Sequence, residues 1–214
     1  MRDFVELYLL RNRGWPWPED SWGLTPMYGE DGWCRACGVP RHDQTGHLVL
    51  QTKDLKSIAG AWTPNWQFDA ICLERKLAAR IADRFRVELR DVHWPRRAPG
   101  DVKQIVARTV GEAWFDHGQL RERLLSVHGS AGALCPKCGI WRWMPLAFAP
   151  TPPRTDEVLP PLLDVPGLKD VDVAASPEWF GDGWNAFRQI VVRRELAQLV
   201  VDASPRDFRI QEIA

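Results

Sequence analysis

Two short cysteine motifs, far apart in the chain, carry the residue types best suited to chemistry. Residues 34–38 and 135–139 both read Cys-x-x-Cys-Gly. With two residues between them, the paired thiolates of one turn can reach the same ion, and the glycine that follows permits a positive φ. Four sulfurs complete a tetrahedral shell for Zn²⁺ and leave no position for water or substrate. We therefore predict a structural zinc, with the ligands Cys34, Cys37, Cys135 and Cys138.

The separation of the two motifs is much longer than in an ordinary zinc ribbon. Between Cys37 and Cys135 lie 97 residues, whereas ribbons place about 15 to 20 residues there. One shared zinc would close this long loop, so its binding energy, on the order of 10 kcal/mol, would become folding energy. The alternatives are a loop-closing disulfide, two independent redox pairs, and iron in a rubredoxin-like knuckle. His42 and His47 follow the first motif, and we interpret them as surface or loop histidines.

The composition limits the class of protein. The net charge of the 214-residue chain is zero, which argues against a general nucleic-acid binder. Paired cysteines favour metal over a disulfide framework and hence a reducing compartment. The fifth cysteine, Cys72, lies in an apolar run and is interpreted as a small buried hydrophobe. No export signal or membrane-spanning run is recognised, so we expect a cytoplasmic protein with no membrane partner.

The elements that must position the cysteines are strands and amphipathic helices in alternation. Residue patterns predict strands over residues 4–10, 47–52, 87–92, 140–143 and 208–213. Helices are predicted over residues 73–85, over 120–127 with closure at Gly129, from a cap at Ser176-Pro177, and through 196–203. These predict an α+β fold with mixed sheets, in which the two knuckles form one zinc-ribbon-like site with a large insertion.

The domain organisation is predicted from a proline-rich stretch. Seven prolines fall between residues 144 and 166, a density that neither a helix nor a central strand tolerates. We predict a zinc-knuckle lobe over 1–144, a connector over 145–167, and a helix–strand lobe over 168–214 packed on the first.

An internal similarity links two distant segments. Residues 71–81 match residues 190–200 at four of eleven positions. Each segment enters through an apolar stretch, becomes a helix and is followed by an alternating strand. A duplicated strand–helix–strand unit would explain the match, and so would the generic residues that amphipathic helices share.

Motifs for catalysis are missing from the sequence, so we predict no enzyme. There is no His-Glu-x-x-His, no phosphate-binding glycine loop and no Gly-x-Ser-x-Gly elbow. A zinc-containing HNH-like nuclease is the first alternative, because residues 91–95 distantly resemble its histidine strand. However, residues 139–143 hold no histidine where such enzymes place one. A zinc-ribbon nucleic-acid binder is the second alternative, in which Trp141, Arg142 and Trp143 would contact bases and phosphate.

Both motifs and the C-terminal stretch together resemble the myxobacterial double-CXXCG motif proteins. The matching pieces are the early strand, residues 33–38 and 134–139, and the tail from Phe180 to Phe208. That group includes immunity proteins of the swarming-inhibition toxin systems. The resemblance implies a cytoplasmic antidote that binds a toxic domain delivered by a sibling cell. Because nuclease domains are common cargo in such systems, we expect a basic nuclease as partner, with the oligomeric state left undefined.

An acidic segment supplies the candidate interface with a basic toxin. Residues 154–184 hold seven acidic and two basic side chains, and complementary charge speeds association. The candidate partner-binding residues are Asp164, Asp170, Asp172, Glu178, Trp179, Phe180, Asp182 and Trp184. Six of the twelve tryptophans flank loops and are interpreted either as core anchors or as partner contacts: Trp15, Trp17, Trp22, Trp33, Trp62 and Trp66.

Overall fold

The computed structural model describes residues 3–11, 17–51, 59–95, 101–143, 159–181 and 186–213, and these form a mixed α+β fold. The strands are β1 (Phe4–Leu9), β2 (Ala61–Trp62), β3 (Ile71–Glu74), β4 (Glu88–Asp91), β5 (Val102–Val106), β6 (Arg108–Thr109), β7 (Gly132–Leu134), β8 (Trp141–Trp143), β9 (Val173–Phe180), β10 (Phe187–Arg193) and β11 (Phe208–Glu212). The helices are α1 (Leu24–Tyr28), α2 (Arg75–Ala82), α3 (His117–His128) and α4 (Arg194–Ala203). None of the helices in these ranges combines the length and apolarity needed to cross a membrane.

Two sheets organise the described residues. The larger has the order β11-β1-β10-β9-β8-β7, with β6 pairing alongside β9, and the smaller has the order β2-β3-β5-β4. The largest hydrophobic core joins both sheets to the apolar faces of α2 and α4. A second core lies between the larger sheet and α3, and a third lies between the smaller sheet and the loop that carries Leu48 and Leu50.

The internal similarity corresponds to a repeated topology. In the smaller sheet, β5 lies antiparallel between β3 and β4, and α2 connects those two strands. In the larger sheet, β1 lies antiparallel between β10 and β11, and α4 connects those two strands. We call β3, α2, β4 and β5 the first unit, and β10, α4, β11 and β1 the second. Strand β1 therefore has the same position in the second unit as β5 has in the first. A duplicated unit with circularly permuted connections accounts for this arrangement.

Backbone hydrogen bonds repeat at equivalent positions of the two units. The amide of Arg75, which begins α2, donates to the Asp101 carbonyl at 2.9 Å. The amide of Arg194, which begins α4, donates to the Asp3 carbonyl at 2.8 Å. Asp101 and Asp3 each precede the central strand of their unit. Generic helical residues would not produce this match outside the helices, so the duplication explains the similarity better.

Four predicted strands and one predicted helix agree with the structure, whereas one helix and one strand differ from the prediction. Strands β1, β4, β8 and β11 lie within the predicted ranges, and α3 ends at Gly129 with φ of 70°. The helix predicted over 73–85 is shorter than expected, because β3 continues through Glu74 before α2 begins. In the described part of the predicted strand 47–52 there are only isolated bridges, which join Leu50 to Pro18 and Val49 to His93.

The predicted helix cap at Ser176-Pro177 is wrong, because both residues lie within β9. The register between β9 and β10 shifts at this point, and the Ser176 hydroxyl accepts a hydrogen bond from the Gln189 amide at 3.2 Å. Proline is tolerated in a sheet where the ladder is interrupted in this way. Ser176 therefore caps a bulge rather than a helix.

The lobe boundaries stay a prediction. The larger sheet contains β1, β7 and β8 from the predicted first lobe and β9–β11 from the predicted last lobe. Residues 144–158, which hold most of the predicted connector, lie outside the described residues.

We expect Ser204→Ala to lower the free energy of unfolding by about 1 to 3 kcal/mol. The buried Ser204 hydroxyl, just after α4, accepts a hydrogen bond from the Ala61 amide of β2 at 2.7 Å. Alanine would remove this hydrogen bond from the buried region between α4 and β2. Urea unfolding measures the effect, and the exposed Ser126→Ala on α3 is the matched control. Equal stability of the two variants would contradict this linkage between the two units.

Candidate metal centre

The first cysteine motif forms a tight turn in the N-terminal loop. The Cys34 amide donates to the Val39 carbonyl at 2.9 Å, and the Gly38 amide donates to the Cys34 carbonyl at 2.7 Å. Gly38 has φ of 75°, a left-handed conformation that glycine adopts without the steric cost of a Cβ atom. The turn therefore needs glycine immediately after the second cysteine, as the motif predicts.

The second motif repeats this geometry in the hairpin between β7 and β8. The Cys135 amide donates to the Ile140 carbonyl at 3.0 Å, and the Gly139 amide donates to the Cys135 carbonyl at 2.9 Å. Gly139 has φ of 73°. The two motifs are thus the same knuckle, built twice.

The four sulfur atoms meet at one place. All four lie within 4.8 Å of one another. The Sγ atoms of Cys34 and Cys135 are 3.9 Å apart, and those of Cys37 and Cys138 are 3.6 Å apart. Tetrahedral coordination with Zn–S bonds of about 2.3 Å requires sulfur separations of about 3.8 Å. The residues therefore fit one tetrahedral ion.

The alternatives with separate cysteine pairs do not fit this arrangement. A disulfide would bring two sulfurs to about 2.05 Å, whereas all five cysteines are free. Two independent redox pairs would not require sulfurs from both motifs in one cluster. Cys72 is completely buried in β3, as its apolar run predicts.

Burial and backbone dipoles make this cluster suited to a cation. The backbone amides of Cys138 and Lys137 point at the Cys135 sulfur and lower the pKa of that thiol to about 6. Burial instead raises the pKa values of Cys37 and Cys138. Apolar side chains that include Val39 and Ile140 surround the sulfurs. A bound metal would displace the remaining thiol protons and neutralise the thiolates in this apolar environment.

Two predicted partner-binding residues have structural roles instead. Phe180 is completely buried in the second core. The Glu178 carboxylate is 2% exposed and accepts hydrogen bonds from the backbone amides of Trp114 and Phe115. These bonds hold the segment before α3 against β9. Neither side chain is accessible to a partner in this fold, because both are buried.

The other predicted partner-binding residues differ in accessibility. Asp172 pairs with Arg193, and the Arg188 guanidinium lies 5.0 Å from the ring centroid of Trp179. Asp164 and Asp170 are exposed. Asp182 and Trp184 lie outside the described residues. The accessible acidic surface of the predicted interface is therefore carried by Asp164 and Asp170 among the described residues.

Sequence reasoning missed a contact between two histidines. The His47 and His93 rings stack with centroids 4.2 Å apart and an angle of 14° between their planes. Nearby, the Asp91 carboxylate accepts a hydrogen bond from the Lys103 ammonium at 2.7 Å. His42 is exposed, as expected. No spacing pattern indicates the stack, because a long-range parallel bridge beside His93 creates it.

Of the three side chains considered for contact with nucleic acid, Trp143 is buried and Trp141 and Arg142 are half-buried. Trp143 is 5% exposed. The Arg121 guanidinium of α3 lies 4.8 Å from the Trp141 ring centroid and 5.9 Å from that of Trp143. Both rings therefore contact a cation of the protein itself, and Trp143 is buried, whereas Trp141 is half-buried.

Comparison with known proteins finds no matching family model, curated protein or solved structure. The arrangement of the four sulfurs is therefore the basis for what this site can do. A closed, buried set of four sulfurs can bind one metal ion and hold two distant segments together, and it offers that ion no place for a substrate.

We expect the purified protein to contain one metal ion per chain, and Cys37→Ser with Cys138→Ser to abolish its binding. A site worth on the order of 10 kcal/mol rivals the whole stability of a domain, so chelation should lower the thermal midpoint strongly. Elemental analysis and thermal unfolding measure both effects. Cys72→Ala, which changes a buried cysteine outside the cluster, is the control and should keep its metal. Full metal content in the double variant would contradict the assignment.

The histidine stack predicts a pH dependence of stability. Burial and the neighbouring His47 lower the pKa of His93, while Asp91 opposes them. The folded protein then binds fewer protons than the unfolded chain, so stability is greatest above about pH 6.5 and decreases as the pH falls below it. His93→Gln should reduce this loss between about pH 7.5 and about pH 5.5 in urea unfolding. The exposed His42→Gln is the control, and an unchanged loss in His93→Gln would refute this cause.

Proposed function

We propose that this protein is an immunity protein of the double-CXXCG kind, held together by a structural zinc. It binds a cognate toxin delivered by sibling cells and neutralises it in the cytoplasm without chemistry of its own. The observation that carries the proposal is the meeting of both cysteine motifs in one cluster. Those motifs, at this separation and followed by the matching tail, are the basis of the resemblance.

The character of the cysteine cluster supports a structural ion. Its sulfurs are largely buried, and both thiols of each knuckle face those of the other knuckle. A catalytic zinc site keeps one position for water or substrate, whereas four thiolates occupy every position of a tetrahedral ion. Zinc is proposed over iron because a purely structural role requires no redox change.

The position of the cluster supports a binding role. The ion would join the loop that contains Cys34 and Cys37 to the hairpin between β7 and β8, at one edge of the larger sheet. A loop held on a rigid sheet presents a preorganised surface, and preorganisation lowers the entropic cost of association. Neutralisation by direct contact needs such a surface and no catalytic group.

The nuclease alternative has less support from the neighbourhood of His93. The Asp91 carboxylate is bound to Lys103, and the His93 ring is stacked on His47. The sequence also lacks the histidine after the second cysteine motif that such enzymes use to hold a catalytic metal. Cleavage of nucleic acid by the protein alone would be the sign of this alternative.

The test mixes the purified protein with its proposed cognate toxin, which is sought among the products of neighbouring genes. We expect an equimolar amount to form a stable complex and to abolish toxin activity, measured by size-exclusion chromatography and by the toxin's own assay. Cys34→Ser with Cys37→Ser should lose this protection, because the loop would no longer be held in place. A fully active toxin with no complex would refute the proposal, and cleavage of nucleic acid by the protein alone would favour the nuclease alternative.

A further inference from the structure

Three tryptophans from distant parts of the chain meet on the surface. The ring centroids of Trp17 and Trp22 are 5.5 Å apart, those of Trp22 and Trp66 are 6.2 Å apart, and those of Trp17 and Trp66 are 6.5 Å apart. All three side chains are half-buried. We call Trp17, Trp22 and Trp66 the tryptophan cluster. Half-buried tryptophans in mutual contact are typical of the anchors that dominate protein interfaces.

Hydrogen bonds hold the backbone of the cluster in position. The side-chain amide of Gln67, which is 8% exposed, donates to the Trp22 carbonyl and joins the two ring-bearing turns. The Gln51 amide donates to the Trp17 carbonyl at 2.8 Å. The backbone that carries the rings is thus held by these bonds, and the rings contact one another, so the side-chain entropy lost on binding is reduced.

Backbone strain is concentrated at the same place. Among the described residues, four non-glycine residues have positive φ: Asp20, Ser21, Trp22 and Trp66. All four belong to the cluster or lie directly before Trp22. Such conformations cost on the order of 1 to 3 kcal/mol each and concentrate at functional sites.

The charge beside the cluster is negative. Glu19 and Asp20 lie between Trp17 and Trp22, and Asp20 is exposed. Within the described part of the chain, neither carboxylate has a cationic partner, and Asp20 accepts a hydrogen bond only from the adjacent Ser21 hydroxyl. Among the described residues, the cluster therefore combines aromatic faces with carboxylates that have no ion-pair partner.

Tryptophans elsewhere in the chain show which chemistry suits such rings. Trp33, Trp141 and Trp179 each have an arginine guanidinium of the same chain within 5.0 Å of the ring centroid. Trp22 and Trp66 have no such cation among the described residues. Arginine and lysine are attracted to the faces of tryptophan rings, and carboxylates at the rim add to that attraction.

We propose that the tryptophan cluster binds an arginine- or lysine-bearing segment of a protein partner. A guanidinium or ammonium group of that segment lies on Trp22 or Trp66 and pairs with Glu19 or Asp20. The identification of this partner as the toxin rests on the proposed function, whereas recognition of the cationic segment does not. Nucleic acid is disfavoured because its phosphates would meet the two carboxylates.

Isothermal titration with hexa-arginine amide at low salt tests the cluster directly. We expect saturable binding that is weakened about tenfold or more by Trp22→Asn with Trp66→Asn, and similarly by Glu19→Gln with Asp20→Asn. Asparagine tolerates the positive φ at these positions, so the variants keep the backbone. Metal content and thermal unfolding of each variant establish that it is folded.

The matched control is Glu112→Gln with Glu122→Gln, which removes the same charge from exposed positions outside both acidic surfaces. It should leave peptide binding within about twofold of the wild type. Absence of saturable binding, equal weakening by the control pair, or binding of a thymidine dodecamer in place of the peptide would each overturn the proposal. Failure of the wild type to neutralise the toxin would refute the proposed function alone, since the peptide titration does not involve the toxin.

Discussion

The meeting of four cysteine sulfurs from two distant knuckles is the constraint on which the rest of the structure depends. The 97 residues between Cys37 and Cys135 contain the whole smaller sheet and α2. An ion that joins the two knuckles closes this long loop and removes the corresponding entropy from the unfolded chain. It also fixes the N-terminal loop against the edge of the larger sheet. The same N-terminal segment carries Trp17 and Trp22, so an ion bound there would also stabilise the frame of the proposed binding surface.

The repeated strand–helix–strand unit explains how one chain builds two sheets around a common core. Leu77 and Ile81 of α2, and Leu196 and Val200 of α4, occupy equivalent positions and lie in the same core. In the second unit the central strand is β1, which pairs with β10 and β11 from the last part of the described chain. The cysteine knuckles lie outside both units, so an ion bound by them would join two segments that were added to the duplicated framework.

Sequence reasoning succeeded where chemistry or local periodicity decides the outcome. The Cys-x-x-Cys-Gly spacing identified all four cluster residues, and the pattern around Leu120 and Leu124 identified α3 and its terminal glycine. It failed where long-range contacts override a local signal. Ser176-Pro177 has the residues of a helix cap but lies in a bulged strand, and Glu178 and Phe180 look available in an acidic segment but serve the interior. The His47–His93 stack and the tryptophan cluster depend on pairings between distant segments, which no local spacing reveals.

X-ray absorption at the metal edge tests the central claim most directly, because it reports both the element and its ligands. In protein purified without added metal, we expect a zinc edge and a shell of four sulfur atoms at about 2.3 Å. An iron edge would contradict the assignment of zinc. A shell with nitrogen or oxygen ligands, or fewer than four sulfurs, would contradict the single shared site.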